Sequence, residues 1–325
     1  MASLSLLTLL CAVVSAAPHR DIGTTLSVRQ AEDACPVGYC TENGGTTGGA
    51  GGETVVVTDV NSLTEAADSD GPLTIVISGS ISGSAKVRVA SDKTIFGESG
   101  SSLTGVGLYV RRVNNVILRN LKISGVDADN GDAIGLDNAV NVWVDHCDLA
   151  GDLNAGKDDL DGLLDITHAS DWVTVSNTYF HDHWKGVLIG HSDSNADEDT
   201  GKLHVTFVDN HWQSINSRCP SVRFGTVHII NNYWESLIAT GVNSRMGAQV
   251  LVQSSAFANS AEKAIFFADS SNTGYVVVDD VDLGGSTNTA PEGSLSPGSL
   301  PYPAISAVGS GNVAGTVPAN AGQIL

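Results

Sequence analysis

Charge is thinly spread along this chain, and where it gathers the residue types suit one another. Only 16% of the 325 residues are charged. Four short segments stand out against a Gly- and Val-rich background: Asn130-Gly-Asp132, Asp161-Gly-Leu-Leu-Asp165, Lys185 in His-Asp-His-Trp-Lys, and Arg218-Cys-Pro-Ser-Val-Arg223. Carboxylates contributed by separate segments make a hard-oxygen site, and Asp132, Asp161 and Asp165 together suit Ca²⁺, whose ligands lie at roughly 2.3–2.6 Å in flexible geometry. Zinc would want His or Cys. On one straight strand Asp161 and Asp165 would lie ~13 Å apart, so the chain must bend between them, and Gly162 permits the bend. Lys185, Arg218 and Arg223 beside such a cluster predict a site that receives carboxylate groups, because guanidinium forks match carboxylates and an ammonium supplies a point charge. The competing readings are solvated acids in a very acidic protein, and salt bridges between these cations and the same aspartates.

Other polar residues read as structural. His181 and His183 flank Asp182 without a three-ligand zinc set, and, with His191 and the Asp145-His146 pair, are expected to hold turns by hydrogen bonds. Trp143 is expected in the core. Trp184, beside Lys185, is a candidate lining of a sugar subsite.

The elements that must position these residues are short strands. Thirty-six Gly, two Met and runs of Val, Ile and Thr between Asn, Asp, Ser and Gly clusters favour an all-β fold. Apolar runs begin at Val116, Val142, Val173, Val205, Val227, Val250 and Val276, and a polar residue follows each of the first six, at Asn120, His146, Asn177, Asn210, Asn232 and Ser255. One strand and one amide-bearing turn per repeat predict a single-domain solenoid, a right-handed parallel β-helix with side chains laddered at about the 4.8 Å strand spacing. The spacing is too long for a β-sandwich, and no helical period accompanies it. In this phase Lys185 and Arg218, each eight residues after an Asn, stack on adjacent coils, and Asp132 falls on the same stretch of its own coil. The repeat is clearest from 87 to 283. A short amphipathic helix within 59–70, capped by Asn61 or Ser62, closes one end, and the Pro/Gly/Ser-rich tail after Gly284 covers the outside.

Residues 1–17 carry no charged side chain, and an apolar stretch from Leu4 to Val14 ends in Ser15-Ala16-Ala17, which predicts a cleaved secretory signal and a secreted, extracellular product. Residues 18–43 form an N-terminal segment open to processing, and 44–325 the main domain. After cleavage Cys35, Cys40, Cys147 and Cys219 remain, an even number with three possible pairings. No Asn-x-Ser/Thr sequon occurs. The net charge of −20 argues against nucleic acid and anionic membranes as partners. A monomer is expected.

The segments Asn130-Gly-Asp-Ala-Ile, Asn141-Val-Trp-Val-Asp-His, Asp161-Gly-Leu-Leu-Asp-Ile, Leu188-Ile-Gly-His-Ser-Asp-Ser-Asn and Asn216-Ser-Arg-Cys-Pro-Ser-Val-Arg-Phe-Gly occur in order. In these the chain resembles secreted pectate lyases of polysaccharide lyase family 1, of the fungal calcium-dependent type, over about 44–285. The resemblance implies that Asp132, Asp161 and Asp165 bind Ca²⁺, that Arg218 is the catalytic base, and that Lys185 and Arg223 grip carboxylates of polygalacturonate (pectate). It implies β-elimination with an alkaline optimum, since a guanidinium is an ordinarily protonated group. Pectin lyases share the fold and the arginine but lose the carboxylates, so three retained aspartates favour the unesterified polymer. Asn130 stands where some relatives carry a further acid. A pectin lyase, a glycoside hydrolase on the same solenoid and a non-catalytic carbohydrate-binding solenoid are the alternatives.

Overall fold

A computed structural model describes residues 30–325; the leader assigned to 1–17, Cys11 and the start of the following segment lie outside the described residues. Every pairing between the named strands is parallel, and each strand pairs with one a full coil earlier or later, which makes the fold a parallel β-helix with the right-handed sense of nearly all parallel crossovers. Three ladders run along it. The first stacks Glu53–Val57, Leu73–Ile77, Lys93–Gly97, Asn114–Arg119, Val140–Asp145, Asp171–Ser176, His204–Val208, Thr226–Ile230, Gln249–Ala258 and Tyr275–Asp282. The second includes Lys122–Ser124, Asp148–Ala150, Tyr179–Lys185, His211–Ser217 and Tyr233–Glu235. The third runs from Ser80–Val89 and Ser102–Arg111 through Ile134–Asp137, Leu164–Thr167, Val187–Ile189, Ser221–Arg223 and Thr240–Arg245 to Lys263–Phe266.

Alternation explains the core: Val116 and Leu118, Val142 and Val144, Val173 and Val175, Val205 and Phe207 stack inside and are fully buried. The polar ladder differs from the sequence expectation, because it is two neighbouring columns and not one. The strand registers align Asn120, His146 and Asn177 with Asp209, Asn231 and Ser254. All six take left-handed backbone, φ 47–58°, at the bend between the first two ladders, a conformation Asn, Asp and His tolerate best. Asn210, Asn232 and Ser255 stand one residue later and point inward with Thr178. There Asn210 Oδ1 accepts from Thr178 N at 2.8 Å, Ser255 Oγ from Asn232 N at 2.9 Å, and Asn232 Nδ2 donates to Phe207 O at 2.9 Å. The inward column satisfies backbone groups that the bend frees.

The expected helix is present at Val60–Ala67, but its cap is Asp59, whose carboxylate accepts from Asn61 N and Ser62 N. Leu63 and Ala67 seal the core below it. Cys35 and Cys40 form a disulfide, while Cys147 and Cys219 are buried free thiols. The segment around that disulfide lies on the outside of the first ladder, Tyr39 N donating to Thr206 Oγ1 and Cys40 N to Thr174 Oγ1. The tail returns along the outside, where Ser310–Thr316 is helical and Asn120 Oδ1 accepts from Leu325 N. No helix among the described residues is long and apolar enough to cross a membrane.

Candidate active site

The outward face of the third ladder gathers the candidate residues. Its registers place Arg88, Tyr109, Gly135, Asp165, Leu188, Ser221, Asn243 and Phe266 in one row along the cylinder. Two positions on, and so on the same face, lies a second row with Arg111, Asp137, Thr167, Arg223 and Arg245.

Asp132 precedes the strand Ile134–Asp137, and its Oδ1 accepts from Gly162 N at 2.9 Å. Asp165 Oδ1 accepts from Leu188 N at 3.3 Å. A Cβ added at Gly162 would stand 2.8 Å from Oδ1 of both aspartates, so this glycine both allows the turn and leaves the space in which two carboxylates converge. Burial, then the charge of Asp132, raises the Asp165 carboxyl well above its usual range; burial, then the charge of Asp161, pushes Asp132 up to about 7. Among the described residues no cation lies within 4.0 Å of either. Asp161 lines the same cleft of about 280 Å³, but its Oδ1 accepts from Lys185 Nζ at 3.4 Å. Among the described residues no three His, Cys, Asp or Glu side chains already converge as a metal cage. Two desolvated carboxylates facing one gap, with a third at its rim and no fixed counter-charge between them, are nonetheless a donor set that suits a hard divalent cation such as Ca²⁺.

The cations line an adjoining cleft of about 460 Å³ together with Ser221, Asn243 and Phe266. Lys185 also contacts Asp158 Oδ1 at 3.2 Å, so the salt-bridge reading describes part of its environment. Its backbone N–H donates to Nδ1 of buried His183, whose imidazole is pushed down to about 4 by burial and then by the Lys185 charge. Lys185 pairs in register with Ser217, not with Arg218 as the repeat phase predicted. From Ser217 to Ser221 the chain takes four steps against three from Lys185 to Leu188, so one extra residue is inserted at Arg218 to Pro220. Arg218 takes φ 63° at this bulge, a device that re-aims a side chain out of its ladder. It reaches the shared cleft with no carboxylate of the described residues within 4.0 Å. Arg223 is tethered, its Nε donating to Asp193 Oδ1 at 2.6 Å and its Nη1 to Gly190 O at 2.9 Å. Although desolvation opposes it, hydrogen bonds from Ser270, Ser271 and Arg223 hold the Asp193 carboxyl far below its usual range.

Sequence reading missed Arg245. It pairs in register with Arg223, is buried, donates through Nη2 to Ser221 Oγ and has an unpartnered Nε. Burial, then the charges of Arg223 and Arg218, lowers its guanidinium to about 10. Its signal was available: Arg245 stands 22 residues after Arg223, the spacing of the Val205 and Val227 repeats. His181 bonds Asp148 and Asp182, His146 bonds Asp145, and His191 stacks on His168, so none forms a zinc set. Trp184 donates to Ala155 O at 2.9 Å and pins the loop before Asp161. Trp143 is buried, but beneath the Cys35–Cys40 segment, outside the cylinder interior.

These features define a parallel β-helix protein with acids and arginines gathered on one outer face. The comparisons narrow it: the pectate lyase family model matches residues 4–296. A probable pectate lyase B of Aspergillus terreus is 69% identical over 318 residues, 98% of each chain, and a pectate lyase of Emericella nidulans 70% identical over 319, again 98% of each. Among solved structures, a pectate lyase from Bacillus sp. N165 in complex with trigalacturonate superposes with a TM-score of 0.81 at 28% identity, covering 89% of this chain and 98% of that one. Pectate lyase II of Xanthomonas campestris gives 0.77 at 28%, with the same coverage. The chain belongs to the pectate lyase family and is an enzyme of that kind.

Proposed function

We propose that this enzyme is exported through a leader at 1–17 and that its domain over 44–325 acts as a monomer on polygalacturonate, by calcium-dependent β-elimination. The observation that carries the reading is the juxtaposition of Asp132 and Asp165 across the Gly162 gap with an unpaired Arg218 in the adjoining cleft. Asp132, Asp161 and Asp165 would hold the ion, with Asp161 turning from Lys185. Bound calcium would neutralise a C6 carboxylate and withdraw charge from it, acidifying the neighbouring C5 proton. Arg218, in neutral form, takes that proton; the electron pair forms the C4–C5 double bond, the C4–O bond breaks, and the departing oxygen takes a proton from water. Lys185 and Arg223 orient the carboxylates, and Asp193 stiffens Arg223 for that task. The negative charge of the whole chain does not oppose the polyanion, because Lys185, Arg218, Arg223 and Arg245 invert the potential locally.

The test is one assay of polygalacturonate and highly methylated pectin, each with Ca²⁺ or chelator. Ultraviolet-absorbing unsaturated product from polygalacturonate, abolished by chelator, is expected. New reducing ends without absorbance would indicate hydrolysis, and activity on methylated pectin that survives chelator a pectin lyase.

A further inference from the structure

On the far side of the aspartates from the arginines, Lys86 has no role in the chemistry above. It is exposed on Ser80–Val89, lines the same cleft as Asp132, Asp161 and Asp165, and among the described residues has no carboxylate within 4.0 Å of Nζ. The side chain is placed, not dangling. Nζ stands 4.2 Å from the centroid of the Tyr109 ring, and the Tyr109 hydroxyl donates to Asp137 Oδ2 at 2.7 Å, which fixes the ring. Gly131, φ 79°, leaves the ammonium its path: a Cβ there would lie 3.1 Å from Nζ and 3.7 Å from Cε. The turn carrying Gly131 is held to the Lys86 strand by Asn130 Nδ2 donating to Ser84 Oγ at 2.8 Å. Thus Asn130, where an acid would have competed for the ammonium, is committed to a neutral hydrogen bond.

We propose that Lys86, seated on Tyr109, is a carboxylate-binding subsite of the groove that grips a uronate unit remote from the scissile bond, on the side of the aspartates opposite Lys185, Arg218 and Arg223. The inference rests on the polygalacturonate reading above and extends it. The Lys86 strand and the Arg223 strand are separated by the strands that begin at Ser102, Ile134, Leu164 and Val187. At about 4.8 Å per rung the two strands lie five rungs apart; Lys86 Nζ leans along that span onto Tyr109 and beside Gly131 while the Arg223 guanidinium leans back to Gly190, so the two cations stand roughly three rungs, ~14 Å, apart, a span that a chain of several sugar units laid along the cylinder axis covers. A cation at each end of the span fixes the polymer along the aspartate cleft and requires free carboxylates at both ends.

The experiment compares wild type, Lys86→Gln and Lys86→Arg on polygalacturonate and on galacturonate oligomers from three units upward, at saturating Ca²⁺, by release of unsaturated product. For Lys86→Gln the KM on polymer and long oligomers should rise about 2- to 5-fold, the range of one exposed charge contact, with kcat held within about 2-fold. On the trimer KM should not change, and Lys86→Arg should restore the long-substrate KM. An unchanged KM on every substrate, a KM rise independent of chain length, or a loss confined to kcat would overturn the subsite. Absence of unsaturated product from wild type would instead overturn the lyase reading, so the two failures are distinct.

Discussion

The outward faces of the first and third ladders are built from the same backbone repeat, yet one is a sealed wall and the other a groove. On the first, Ile117, Trp143, Thr174, Thr206 and His228 point out and are buried, because the Cys35–Cys40 segment and Tyr302 lie over them. Each polar group there is answered: Thr206 Oγ1 accepts from Tyr39 N and donates to the Tyr302 hydroxyl, and Trp143 Nε1 donates to Ser176 Oγ. On the third, Asp132, Asp165, Lys86 and Arg218 have no opposite charge within 4.0 Å among the described residues. The parallel ladder supplies a scaffold indifferent to what stands on its outside, and function lies where charges are left for a ligand to complete.

That contrast can be broken most severely at Arg218. Replacement by Lys should lower kcat by about 10²- to 10⁴-fold, the range of a lost general base, while KM stays within a few-fold, as measured with polygalacturonate at saturating Ca²⁺. Comparable loss of both would make the residue chiefly a clamp.

Asp132→Asn should abolish activity yet stabilise the cation-free protein. The folded Asp132 and Asp165 carboxyls are raised, so the folded chain binds more protons than the unfolded one and stability falls as pH rises from about 4 through the raised values. At pH 8 with chelator the Asn variant, relieved of this repulsion, should melt a few degrees higher, about 1–2 kcal/mol. At pH 5, where these wild-type carboxyls are already largely protonated, the gain should shrink. Calcium should raise the wild-type melting temperature more at pH 8 than at pH 5. A lower melting temperature for the variant at both values would mean the carboxylates are not mutually repelling.

The sealed face should show the reverse. Thr206→Val strands the Tyr39 N–H and costs about 1–3 kcal/mol in urea unfolding, with kcat and KM on polygalacturonate unchanged. A kinetic effect would show that the two faces communicate through the coil. Smallest is the chain-length-dependent KM change predicted for Lys86→Gln.

The sequence carried the solenoid because a strand alternates with period two and a coil repeats its turn, so Val116 to Val276 display both periods without tertiary information. It carried the candidate aspartates and Arg218 because rare charges against a neutral background stand out, and the resemblance gave them roles. It misplaced the phase of Asn210 and Arg218 because counting from one landmark cannot tell a bend column, Asn177 with Asp209, from its inward neighbour, so the count onward from Asn210 lands one position past Ser217, the partner of Lys185. Which cations remain unpaired is a property of space: Arg223 meets Asp193 from another coil and Lys185 meets Asp158, while Lys86 passes Gly131 to rest on Tyr109. Residue identity alone thus determined the repeat and the stock of charges. Three-dimensional packing decided which charges cancel, because that depends on distances of a few ångströms between residues far apart in the chain.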